Sequence, residues 1–213
     1  MKTLKIEFLT CFLLGMSMSK FFSFTLLFLY IFQSIAIANP SKDNSLKYLV
    51  NALIEINHPK AFRVASDLEK IRTDIKTYNL IIRKADLDFN DLKKIAEAIK
   101  QVQISKGPDL ITLSMSFNKN IKDKGLNLIL NVIPHTTKIL AFVECGLTDT
   151  GALKIIEYAY KNKNLNQIYL EGNFFSQSIQ NKFNKLKIDR PQLTIISQWP
   201  SETFKEMVRK NYN

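Results

Sequence analysis

ILAFVECGLTDTGALKIIEYA, residues 139–159, and NLNQIYLEGNFFS, residues 164–176, are two copies of one pattern. Leu140, Phe142, Cys145 and Leu147 take the places L-x-L-x-x-(N/C)-x-L, and Ile168, Leu170, Asn173 and Phe175 take the same places 28 positions later. The alternation at Leu140/Phe142 and Ile168/Leu170 has period 2, the mark of a short strand with one buried face, whereas the stretch after Leu147 switches to helical spacing. A strand followed by a helix at a fixed period predicts a solenoid, in which each unit buries its apolar face against the next.

The pattern extends in both directions. Upstream, Leu110, Leu113, Met115, Asn118 and Ile121 form one turn, with one extra residue before Ile121, and Leu80, Ile82, Ala85 and Leu87 form another. Five residues beyond Leu87, Ile121 and Leu147 lie Leu92, Leu126 and Ala152, which open the faces Leu92/Ile95/Ala96/Ile99, Leu126/Ile129/Leu130/Ile133 and Ala152/Ile155/Ile156/Ala159. All three follow i, i+3, i+4, i+7 from the same offset, so the register is internally consistent. The sequence I-x-D-x-G at Ile121-Asp123-Gly125 recurs as L-x-D-x-G at Leu147-Asp149-Gly151, where an Asp at a helix start accepts orphan N–H groups and suits the helix dipole. The first interval, 34 residues against 26 and 28, is expected to hold a loop, Gln101 to Asp109. Downstream, Ile179, Phe183 and Leu186 mark another helix and Leu193 to Ile196 a final strand. Trp199-Pro200 then breaks the pattern, and Glu202 to Arg209 are expected to form a helix that closes the C-terminal end. Upstream of the repeats, Leu46/Leu49/Val50/Leu53 and Ala61/Val64/Ala65/Leu68/Ile71 predict two helices outside the repeat, the first capped by Asn44 or Ser45 and the second opened by Pro59. They are expected to cover the otherwise bare first turn.

This arrangement resembles the leucine-rich-repeat proteins, in particular their ribonuclease-inhibitor-like subclass, over about residues 79–196. The resemblance implies an α/β fold: a short right-handed β-α solenoid, a horseshoe segment with parallel strands on the concave face and helices on the convex face, behind an N-terminal helical cap. It also implies that the concave face docks a protein partner. Ribonuclease inhibition does not carry over, because so few turns give little curvature for wrapping a partner. The expected division is 39–76 for a polar leader and the helical cap, 77–197 for the repeats and 198–213 for a C-terminal cap.

Residues 1–38 differ in character. Lys20 precedes FFSFTLLFLYIF, residues 21–32, and the stretch ends in Ala36-Ile37-Ala38, which together make the basic, apolar and A-x-A parts of a secretory signal. Cleavage after Ala38 is expected, with residues 1–17 an upstream extension before a start at Met18. The destination is then periplasmic or secreted; the alternative is a membrane anchor formed by residues 21–38. Cleavage would remove Cys11 and leave Cys145 as the one cysteine, so an intramolecular disulfide is not part of the design.

The chain has 213 residues and a net charge of +11, enough for one domain. Its basic residues are overwhelmingly Lys, scattered over predicted helix surfaces, whereas phosphate-reading sites concentrate charge and favour Arg forks. Nucleic acid is therefore not the expected partner, and adsorption to anionic surfaces is the residual role of the charge. No G-x-x-x-x-G-K-[ST], G-x-S-x-G, H-E-x-x-H or C-x-x-C occurs. His58 and His135 fall at a helix boundary and in a loop, and Cys145 holds an inward repeat position, so no catalytic, cofactor or metal residue is assigned. The expectation is a monomeric, non-enzymatic binding module for a protein partner; the alternatives are an exported hydrolase with an unrecognised site and a basic envelope-associated structural protein. If Leu140/Phe142 and Ile168/Leu170 point inward, period 2 places Ala141, Val143, Gln167, Tyr169 and Glu171 on the open face, joined by Thr112 and Ser114 and by Ile81 and Arg83. That mixed apolar and polar row, with Tyr169 as anchor, suits a protein contact.

Overall fold

A computed structural model describes residues 45–211 apart from Thr73; the expected signal, leader and Asn44 cap lie outside the described residues. Two helices, α1 (Lys47–Glu55) and α2 (Pro59–Glu69), come first. Then β1 (Thr77–Ile81), α3 (Phe89–Ile104), β2 (Asp109–Ser114), α4 (Lys122–Leu130), β3 (Ile139–Ala141), α5 (Asp149–Lys161), β4 (Gln167–Tyr169), α6 (Gln177–Asp189) and β5 (Thr194–Ile196) alternate, and α7 (Glu202–Asn211) ends the chain. The strands form one all-parallel sheet in the order β1-β2-β3-β4-β5, an α/β arrangement compatible with a β-α solenoid.

The 28-residue period is the register of the sheet. Leu80, Leu113, Leu140, Ile168 and Ile195 stand side by side, all at most 3% exposed. Ile82, Met115, Phe142 and Leu170 form the next buried row. Behind them lie the helix faces read from the sequence, with Leu92, Ile95, Ile99, Leu126, Ile129, Ala152, Ile155 and Ala159 fully buried. After each of the first four strands the chain turns through a left-handed residue at the same repeat position: Lys84 (φ 51°), Phe117 (φ 64°), Glu144 (φ 49°) and Gly172 (φ 73°). In β4's turn that residue has to be glycine, since a Cβ on Gly172 would lie 2.5 Å from Glu144 Cγ and 3.1 Å from Trp199 Nε1.

Polar groups tie one turn to the next. Asn118 Oδ1 accepts from the N–H of Ala85 at 2.8 Å and of Leu87 at 3.4 Å, while its Nδ2 donates to Ile82 O and Met115 O. Asn173 repeats this one turn further on, accepting from Cys145 N and Leu147 N and donating to Phe142 O and Leu170 O. The D-x-G aspartates act across turns as well. Asp123 Oδ1 accepts from Thr148 N and Gly151 N of the following helix start, and Asp149 Oδ1 from Ser176 N. Gly151 has no side chain because a Cβ there would collide with the Asp123 carboxylate. The hydrogen bonds from Ser176 hold the Asp149 carboxyl below the usual carboxylate range.

Three expectations change. The long first interval is not a loop through residues 101–109: α3 continues to Ile104, 16 residues against 9, 13 and 13 in α4, α5 and α6, because Val102 supplies a further buried apolar position. Ser45 does not cap α1; Leu46 flanks the helix without a side-chain bond, and Ser45 is buried against Gly107. The third change concerns α7, which does not simply close the end of the sheet.

Candidate functional site

Backbone pairing carries the strand ladder past the nominal strand ends, through Ile82 N to Ser114 O, Met115 N to Ala141 O, Phe142 N to Tyr169 O, and Glu144 N to Glu171 O. Three rungs of side chains therefore cross the face opposite the helices. Thr112, Ile139 and Gln167 form the first and Ile81, Ser114, Ala141 and Tyr169 the second. Arg83, Ser116, Val143 and Glu171 follow two residues later as the third. That rung has a guanidinium at one end and a carboxylate at the other, three strand spacings or roughly 14 Å apart.

The sequence leads one to expect this face to be open, and it is partly covered. After Trp199-Pro200 the chain turns back, and α7 lies over the strands, with Phe204 and Val208 directed at them. Its Arg209 reaches Glu144 beyond the end of β3, with Nε 2.7 Å and Nη2 2.6 Å from Oε1. The amphipathic spacing of Phe204, Met207 and Val208 explains why α7 seeks an apolar surface, and the strand face offers Ile139, Ala141 and Val143. The seating is shallow: Phe204 remains 40% exposed and Met207 49%. Trp199 packs near Phe204, with ring centroids 6.4 Å apart.

Between α7 and the strands a cleft of about 380 Å³ remains. Of the eight residues that the sequence places on the binding face, Arg83, Thr112, Ala141, Val143, Gln167, Tyr169 and Glu171 line it. Ser114 does not: it is fully buried, and its Oγ accepts from Arg83 Nε at 2.9 Å. Ala141, Val143 and Glu171 are buried at 5%, 8% and 6% exposure. Tyr169 is half-buried and donates to Gln167 Oε1 at 3.1 Å. Sequence reasoning missed Ser116, Phe117 and Ile139, which period 2 and the ladder could have supplied, and Trp199, Phe204 and Val208, which no repeat signal reaches. Burial raises the Glu171 carboxyl above its ordinary range, partly offset by the backbone N–H groups of Glu171 and Leu170.

Other candidate groups are structural. His58 caps α2, its Nδ1 accepting from Lys60 N, and His135 meets the edge of the Tyr158 ring. Cys145 is fully buried, and its Sγ donates to Met115 O at 3.2 Å. Burial pushes its thiol up to about 12, so the reactive thiolate is scarce at neutral pH as well as shielded. Labelling with a thiol reagent is accordingly expected to be slow in the folded protein and to accelerate by orders of magnitude in denaturant; fast native labelling would overturn the register at Cys145. Among the described residues, no three His, Cys, Asp or Glu side chains come together as metal ligands, and no helix is long and apolar enough to cross a membrane. No family model matches the chain, and no curated protein matches it.

Proposed function

We propose that this chain is an exported, non-enzymatic binding module of leucine-rich-repeat type, in which α1 and α2 cap the first turn and the strand face receives a protein partner. The observation that carries this reading is the cleft: seven of the eight residues picked out as the binding row line one amphipathic recess. Apolar strand side chains, one half-buried tyrosine and a few polar ends are the composition of a protein contact surface, whereas a phosphate track would concentrate Lys and Arg. The module acts as a monomer and uses no cofactor and no nucleic acid. Export through the signal at residues 1–38 places it in the periplasm or outside the cell.

The test begins with a partner captured on residues 39–213 and then measures its affinity for variants. Tyr169→Ala is expected to weaken binding by about 2 kcal/mol, roughly thirtyfold, with little change in melting temperature. The double change Lys161→Ala/Lys163→Ala, at exposed residues on the helix side, is expected to leave affinity unaltered. Loss of binding in the lysine variant with Tyr169→Ala neutral would move the interface off the strand face and favour electrostatic adsorption.

A further inference from the structure

Two buried polar atoms in the cleft have no hydrogen-bond partner: Glu171 Oε2 and Trp199 Nε1. They are of opposite sense, since a carboxylate oxygen accepts and an indole N–H can only donate. They are also neighbours, because Trp199 Nε1 lies against Gly172, the residue after Glu171. The nearby Glu144 carboxylate is engaged by Arg209. Leaving a buried donor and a buried acceptor unmade is costly, and such groups call for an explanation, often a ligand that completes them.

We propose that Glu171 and Trp199 form a recognition point for a peptide group of the protein partner, the amide N–H donating to Glu171 and the amide C=O accepting from the Trp199 indole. Among common groups an amide carries a donor and an acceptor side by side. An ammonium or guanidinium would serve Glu171 and leave the indole unmade; a carboxylate or phosphate would serve the indole and be repelled by Glu171. The remaining wall, with Ile139, Val143, Phe204 and Val208, accommodates an apolar side chain flanking that amide. At about 380 Å³ the recess admits a short segment and not a second helix. This inference rests on the protein-binding reading above and names the group that the cleft reads.

The chain has a single tryptophan, so its indole N–H gives one unambiguous NMR signal. The full chain is titrated with N-acetyl-leucinamide, and in parallel with n-butylamine and acetate. A saturable shift of the indole signal with the amide alone is expected, and Glu171→Leu should weaken it about tenfold, as expected for loss of a hydrogen bond to a charged group. Trp199→Phe, followed through the backbone amides of Glu171 and Gly172, should weaken it similarly and provides the second measurement if Glu171→Leu does not fold. An indole that ignores the amide, an amine or acetate effect of equal size, or undiminished amide binding in either variant overturns the proposal. The captured partner separates the two levels: binding lost in Tyr169→Ala but unchanged in Glu171→Leu and Trp199→Phe sinks the amide site alone, and binding unchanged in all three sinks the strand face with it.

Discussion

Arg190→Leu is expected to destabilise the fold by about 4 kcal/mol and to lower the melting temperature by roughly 10 °C or more, while leaving the strand face untouched. Arg190 is 3% exposed and sits just beyond α6. Its guanidinium donates to four backbone carbonyls around the end of α5: Ala159 O, Asn162 O at 2.9 Å, Lys163 O at 3.1 Å and Leu165 O at 2.9 Å. Those carbonyls belong to the negative end of the helix dipole and to the turn that follows, so they favour a cation there. Replacing a buried charge by a hydrocarbon is often tolerated when its partner is replaced too, but backbone carbonyls cannot be replaced. Leucine leaves up to four acceptors without a donor, each costing about 1–3 kcal/mol if it stays dry, with incomplete additivity. Arg190→Lys should recover only part of the loss, because an ammonium presents its donors from one point and cannot span the same set of oxygens. Chemical denaturation of the three proteins decides the matter. A Leu variant within about 1 kcal/mol of the parent would mean that relaxation or solvent satisfies the carbonyls.

Asn118→Ala is the second large effect, with an expected loss of about 3 kcal/mol. Asn118 is fully buried and joins two consecutive turns through both ends of its amide. Alanine removes the acceptor used by Ala85 N and Leu87 N and the donor used by Ile82 O and Met115 O. The next turn provides an internal control. There Cys145 holds the same place and donates to the preceding turn through Sγ to Met115 O. Asn118→Cys should therefore cost less than Asn118→Ala, since a thiol retains a weak donor and fills part of the volume. Equal losses for the two variants would show that cavity formation, and not backbone satisfaction, sets the value of the position.

The repeat register was legible because it rests on two periods that differ sharply. A slip of one residue would turn Leu80, Leu113, Leu140 and Ile168 from the core to the opposite face, so the alternation fixed which residues align. The helix faces were equally plain. The extension of α3 was not, because Gly107-Pro108 drew the loop boundary upstream, while Val102 alone marked the additional buried turn. Arg190 looked like an ordinary surface cation. Its partners are main-chain carbonyls, which every residue has, so no side-chain pattern announces them.

By itself the sequence determined the alternation of strand and helix, the alignment of turns and the set of side chains on the strand face, since all three follow from local spacing. Only the tertiary structure decided what becomes of that face. An amphipathic helix such as α7 states that it will bury Phe204 and Val208 somewhere, but the hydrophobic effect is non-directional and does not say where. The turn at Trp199-Pro200 and the Arg209–Glu144 ion pair, joining residues 65 positions apart, set α7 across the strands. Its return leaves the cleft beneath it and Glu171 and Trp199 without polar partners, because neither group meets the other until the chain has folded back.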